Sequence, residues 1–127
     1  MRIIVPLLVM AIAVMIGAGI CMNSYLRKSS EEIDYGISQI ESDIKNNDWQ
    51  SAELKLSEIN QSWNKTKNAW SMLIDHTEID NIDNALTKVE SYIQSKNNAL
   101  LMSEIASLKL FIEHIPKREE FAMKNIF

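Results

Sequence analysis

The sequence predicts an all-α protein: an N-terminal transmembrane helix, then an up-down antiparallel four-helix bundle with a short C-terminal helical tail. Three observations carry this reading. Residues 3 to 22 are apolar and uncharged, and about 20 residues at 1.5 Å each reach ~30 Å, the thickness of a bilayer core. The remainder holds apolar residues in alternating steps of three and four, the period of a helix that buries one seam. Gly and Pro number only three and two in 127 residues, which disfavours a turn-rich β fold.

The first element is the apolar run, read as an uncleaved signal anchor over residues 1 to 22. It is longer than the ~7–15 apolar residues of a cleaved signal peptide. Gly17-Ala18-Gly19 offers a weak cleavage site. Ala18-Gly19-Ile20-Cys21 is a poor lipobox, because Ile20 stands where a small residue belongs. Ala13, Gly17 and Cys21 recur every four residues and could let a second membrane helix approach. Arg2 precedes the run while Arg27 and Lys28 follow, so flanking charge does not orient it. A very short N-terminus favours a cytoplasmic start and an extracytoplasmic C-terminal domain.

The second element, over residues 23 to 46, carries Leu26, Ser30, Ile33, Ile37, Ile40 and Ile44 on its seam. No proline separates it from the apolar run, so the two are expected to form one helix. Gly36 would weaken it by roughly 1 kcal/mol relative to alanine. Asn46-Asn47-Asp48 turns the chain, and Asp48 caps the next helix.

That next helix, expected over residues 49 to 76, is the strongest signal in the chain. Trp49, Leu56, Trp63 and Trp70 occupy one heptad position, and Ala52, Ile59, Thr66 and Leu73 the other. All three tryptophans lie on this seam. They read as core, with Thr66 or facing Ser and Asn residues as partners for the indole N–H groups. An aromatic ligand pocket, lined by Trp70 near the bundle end, is the functional alternative.

The third helix, expected over residues 78 to 96 with Thr77 as its cap, buries Ile79, Ile82, Leu86, Val89 and Ile93. The fourth, over residues 98 to 115, buries Leu101, Ile105, Leu108, Ile112 and Ile115, and Pro116 is expected to end it. A short tail helix follows over residues 117 to 124. Trp49 and Ala52 faintly echo the start of a tetratricopeptide repeat, but no copy recurs 34 residues later.

From Asn23 onward, 12 Lys and Arg face 17 Asp and Glu, which argues against nucleic acid as a partner. Cys21 is the single cysteine, so no intrachain disulfide forms. No nucleophile elbow, phosphate-binding glycine loop or Cys–His pair is present. Asn60-Gln61-Ser62 and Asn64-Lys65-Thr66 match the glycosylation pattern, which would be idle in a bacterium. The up-down topology gathers residues 70 to 83 and 114 to 127 at the membrane-proximal end. His76 and His114 are expected at helix C-termini there, and with Glu78 and Asp80 they form one metal-ligand hypothesis. The bundle-type Glu-x-x-His motif is missing, and no cofactor is expected.

Leu73-Ile74-Asp75-His76-Thr77-Glu78-Ile79-Asp80-Asn81-Ile82, with Trp63, Trp70, Glu113-His114-Ile115-Pro116 and Asn125-Ile126-Phe127, resembles an uncharacterised bacterial family, domain of unknown function 4363. The resemblance runs over nearly the whole chain, including the apolar segment. It implies a small single-span helical protein, encoded beside a multi-span membrane protein. It supplies no catalytic residues.

The leading expectation is therefore a non-catalytic accessory or interaction module of a membrane protein complex. Its partner would be another membrane protein, with a homo-oligomer possible. Trp70, His76, Glu78, His114, Ile126 and Phe127 are the candidate partner or ligand residues. An extracytoplasmic sensor or small-ligand-binding bundle is the alternative. A hydrolytic or metal enzyme has the least support.

Overall fold

The computed structural model describes residues 2 to 126, with side chains to residue 117. Four helices follow in order: α1 Ile4–Lys45, α2 Trp49–Leu73, α3 His76–Gln94 and α4 Asn98–Ile126. Each packs on its neighbours in the chain, and α4 closes on α1, which is the cyclic order of an up-down bundle.

The heptad seams are the core. Leu26, Ile33, Ile37, Ile40 and Ile44 of α1 face Ala52, Leu56, Ile59, Trp63 and Trp70 of α2. Ile79, Ile82, Leu86, Val89 and Ile93 of α3 and Leu101, Ile105, Leu108, Ile112 and Ile115 of α4 complete it. Trp49 and Leu73 are half-buried at the two ends of the α2 seam. Trp63 and Trp70 meet edge to face, centroids 5.4 Å apart at 88°, the arrangement their ring quadrupoles favour.

Helix α1 is unbroken, and its seam begins only at Leu26. Upstream, the apolar residues stay outside the bundle: Ile3, Val5, Leu8, Met10, Val14 and Met15 are all exposed. This segment is long and apolar enough to cross a membrane, and none of it is buried by the chain's own fold.

The turns at the far end of the bundle are two Schellman motifs. After α1, Asn47 N–H donates to Ile44 O and Asp48 N–H to Asp43 O, with Asn47 at φ 57°. After α3, Lys96 N–H donates to Ile93 O and Asn97 N–H to Tyr92 O, with Lys96 at φ 53°. Asp48 caps α2 as expected, accepting from Ser51 N–H at 3.1 Å. Asn97 Oδ1 accepts from Leu100 N–H at 3.2 Å at the start of α4.

Two boundaries differ from the sequence expectation. Helix α2 stops at Leu73 rather than residue 76, because Ile74 is extended (φ −130°, ψ 167°) and Asp75, not Thr77, caps α3. The Asp75 carboxylate accepts from Thr77 N–H at 3.1 Å. Asp75 also has the right spacing to Glu78 for a capping box, with apolar Ile74 and Ile79 where a hydrophobic staple needs them. Helix α4 does not end at Pro116 either, and the expected tail is its continuation to Ile126. Proline removes one in-helix donor, so the carbonyl four residues back, Ile112 O, loses its partner. The Ser30 hydroxyl of α1 donates to that oxygen at 2.7 Å. The break is thereby satisfied from the neighbouring helix and the rod continues.

Candidate functional site

The end of the bundle nearest the apolar segment is fixed by two cross-links to α1. Trp70 Nε1–H donates to Ser29 Oγ at 2.8 Å, and Ser30 reaches Ile112. Ser29 can accept because its own proton is directed back to Tyr25 O and Leu26 O. Trp63 Nε1–H donates to Asp83 Oδ1 at 2.7 Å, and Lys67 pairs with the other oxygen. Thr66 serves neither indole; its hydroxyl turns back to Ser62 O. Facing helices supply both partners.

Trp70 is 0 % exposed and Trp63 2 %. Trp70 is not among the residues that line the cleft between α1 and α4. His76 is the first residue of α3, at the positive end of that helix, instead of the last turn of α2. His114 lies inside α4, two residues beyond Ile112 and two short of Pro116, and not at a helix C-terminus. Both imidazoles are exposed. Glu78 and Asp80 occupy the first turns of α3. Among the described residues, no group of three or more His, Cys, Asp or Glu side chains could hold a metal ion. The side chain of Ile126 and the whole of Phe127 lie outside the described residues.

The feature that sequence reasoning missed is a cleft of about 230 Å³ between α1 and α4. Asn23, Arg27, Glu31 and Asp34 line it from α1, and Glu113 and Lys117 from α4. On α1 these residues recur in steps of four, four and three, so they form a polar stripe beside the apolar seam. That spacing was legible as a signal, but it is also the pattern of an ordinary solvated face.

The cleft is electrostatically ordered. Asn23 follows the apolar run directly, and Arg27 comes one turn later. Glu31 and Asp34 lie one and two turns beyond, farther from the apolar segment. On α4, which runs the other way, Lys117 is nearer that segment and Glu113 farther. Cations thus occupy one level and carboxylates the next. Asp34 Oδ1 is covered and has no hydrogen-bond partner among the described residues, and Asn23 Oδ1 is in the same position. Burial raises the Asp34 pKa above the ordinary carboxylate value, Glu113 adds to the rise, and Lys109 opposes it. Two turns farther out, Glu41 is held below its usual value, mainly by its hydrogen bond to Lys45 and also by Lys109.

Residues 20 to 126 match the family model described as Domain of unknown function (DUF4363). The chain belongs to this family. The DUF4363 match begins inside the apolar run, so it takes in the whole bundle and leaves out most of the exposed apolar segment. Both walls of the α1–α4 cleft lie within the DUF4363 region. No curated protein and no solved structure matches the chain.

Proposed function

We propose that this DUF4363 protein is a membrane-anchored, non-catalytic helical module that serves a larger membrane protein complex. Its bundle stands outside the cytoplasm. One observation carries the reading: the apolar segment is left wholly uncovered by the fold, yet it continues without a joint into the core helix α1. Leaving such a surface in water is costly at about 25 cal/mol per Å² of apolar area, and a bilayer removes that cost. The chain invests its core in rigid packing around Trp63 and Trp70. This does not favour the alternative of a small ligand held inside the bundle.

The test has three parts. Alkaline carbonate extraction of native membranes should leave the protein in the pellet. In a Cys21→Ser background, Ser57→Cys places a thiol on the exposed side of α2. A membrane-impermeant maleimide should label it in intact cells. A photo-crosslinking residue at Met72, 85 % exposed at the end of α2, should capture a membrane protein identifiable by mass spectrometry. Extraction by carbonate would sink the anchor, and protection from maleimide the orientation. Absence of any crosslinked membrane protein would count against the accessory role. Removing residues 125 to 127 should weaken capture if the C-terminal tail meets the partner.

A further inference from the structure

The α1–α4 cleft lies where the apolar run ends, and its charges are layered along the helix axis. A headgroup region is about 5–8 Å deep on each side of the hydrocarbon core. From Asn23, that depth reaches Arg27, about 6 Å along the helix. Glu31 and Asp34 lie beyond it. A zwitterionic phospholipid emerging from the bilayer presents the complementary order, with phosphate first and ammonium farther out.

We propose that this cleft seats the headgroup of an aminophospholipid, with its phosphate against Arg27 and Lys117 and its primary ammonium against Asp34 and Glu113. The proposal rests on the membrane-anchored reading above. The shared chemistry is that of a phosphoethanolamine zwitterion, and continuity of the cleft with the apolar segment assigns it to the lipid rather than to the free compound. A bare cation would leave Arg27 and Lys117 without a role. An anionic headgroup would meet three carboxylates. Asp34 supplies the reason for a primary amine. Its Oδ1 is covered and has no hydrogen-bond partner among the described residues, so it is an acceptor that an N–H donor would satisfy. A trimethylammonium group has no such donor. Burial and the neighbouring Glu113 raise the Asp34 pKa, and Lys109 opposes them without cancelling the rise.

Full-length protein, delipidated in detergent, would be offered phosphatidylethanolamine, phosphatidylcholine and phosphatidylglycerol at equal concentration and read by native mass spectrometry. The ethanolamine lipid should bind about tenfold better than either competitor, the worth of one charge-assisted contact. Asp34→Asn and Glu113→Gln should each erase its advantage over the choline lipid, while Arg27→Gln weakens all three alike. Glu113 is exposed, so its variant retains the bundle, which circular dichroism would verify. Equal binding of the three lipids, or an unchanged preference in both carboxylate variants, would overturn the proposal. So would displacement of the lipid by an equal concentration of soluble phosphoethanolamine. Carbonate extraction separates the two failures: a pelleted protein without lipid preference loses only this inference, whereas an extracted protein loses the anchor as well.

Discussion

Ser30 Oγ stands 2.7 Å from the carbonyl oxygen of Ile112, the acceptor that Pro116 strips of its in-helix donor. A hydroxyl on one helix thus completes the backbone of another. Ser30→Ala should cost about 1–3 kcal/mol, the penalty for a buried group left unmade. Pro116→Ala restores the missing N–H, so in that background the cost of Ser30→Ala should fall below about 1 kcal/mol. A double-mutant cycle by denaturant titration checks this; equal costs in both backgrounds would refute the coupling.

The two indoles differ in what their loss exposes. Trp70→Phe keeps an aromatic ring but removes the donor to Ser29, and should cost about 1–2 kcal/mol. Trp70→Ala also opens a cavity and should cost about 3–5 kcal/mol. Trp63→Phe should be milder than Trp70→Phe, because Asp83 retains Lys67 and is partly exposed. Thermal melts of the three variants would rank them.

Gly36 marks the close approach of α1 and α2. An added Cβ would stand 3.0 Å from Ile59 Cγ1 and 3.1 Å from Cδ1. In Gly36→Ala, a helix-propensity gain of up to about 1 kcal/mol is opposed by this crowding, so the net change should be small. Gly36→Leu should destabilise by about 1–3 kcal/mol. If Gly36→Leu melts like the wild type, the helices are not in close contact there.

Lys96 adopts a left-handed backbone without being glycine. Lys96→Gly should stabilise by about 0.5–1 kcal/mol, since it removes αL strain at an exposed position. Asn47→Gly should gain less, because asparagine tolerates αL. Both effects would be read as shifts in the denaturation midpoint.

Asp34 and Glu41 give opposite pH signatures. The Asp34 pKa is raised above the ordinary carboxylate value of 3.8. Its carboxyl therefore favours folding when protonated, and that contribution is lost as pH rises through the folded pKa. Asp34→Asn should be more stable than wild type at neutral pH, with the difference closing below pH 3.8. The Glu41 pKa is lowered from 4.5. Its contribution is present above that value and fades as pH falls through the folded pKa. Glu41→Gln should be less stable at neutral pH and converge in acid. Paired denaturation curves across the acidic range would test both signs.

The core was readable from the sequence because a seam in steps of three and four admits few alternatives. Leu26, Ile33, Trp63 and Ile105 are buried where that period puts them. Boundaries were less readable, because they turn on single competing groups. Asp75 outcompetes Thr77 as a cap, and Ser30 rescues a helix that Pro116 alone would end. The second case depends on a residue 82 positions from Ile112 in the chain, which no local pattern reveals. The cleft was hidden for a related reason. Arg27, Glu31, Asp34 and Glu113 look like solvated charges until α4 is laid beside α1.

The unbroken α1 has a mechanical consequence. It spans 42 residues, about 63 Å at the α-helical rise, with no hinge between the apolar segment and the bundle. With its apolar part gripped by a bilayer, it is a lever arm. A tilt of about 20°, typical of membrane helices, carries the tip at Lys45 about 16 Å sideways from an axis near residue 13. Helices α2 and α4 are bolted to it by Ser29, Ser30 and the isoleucine seam, and α3 packs on those two, so the three swing as one body. Torque on a bilayer-held segment would pass along α1 to the outer turns of the bundle.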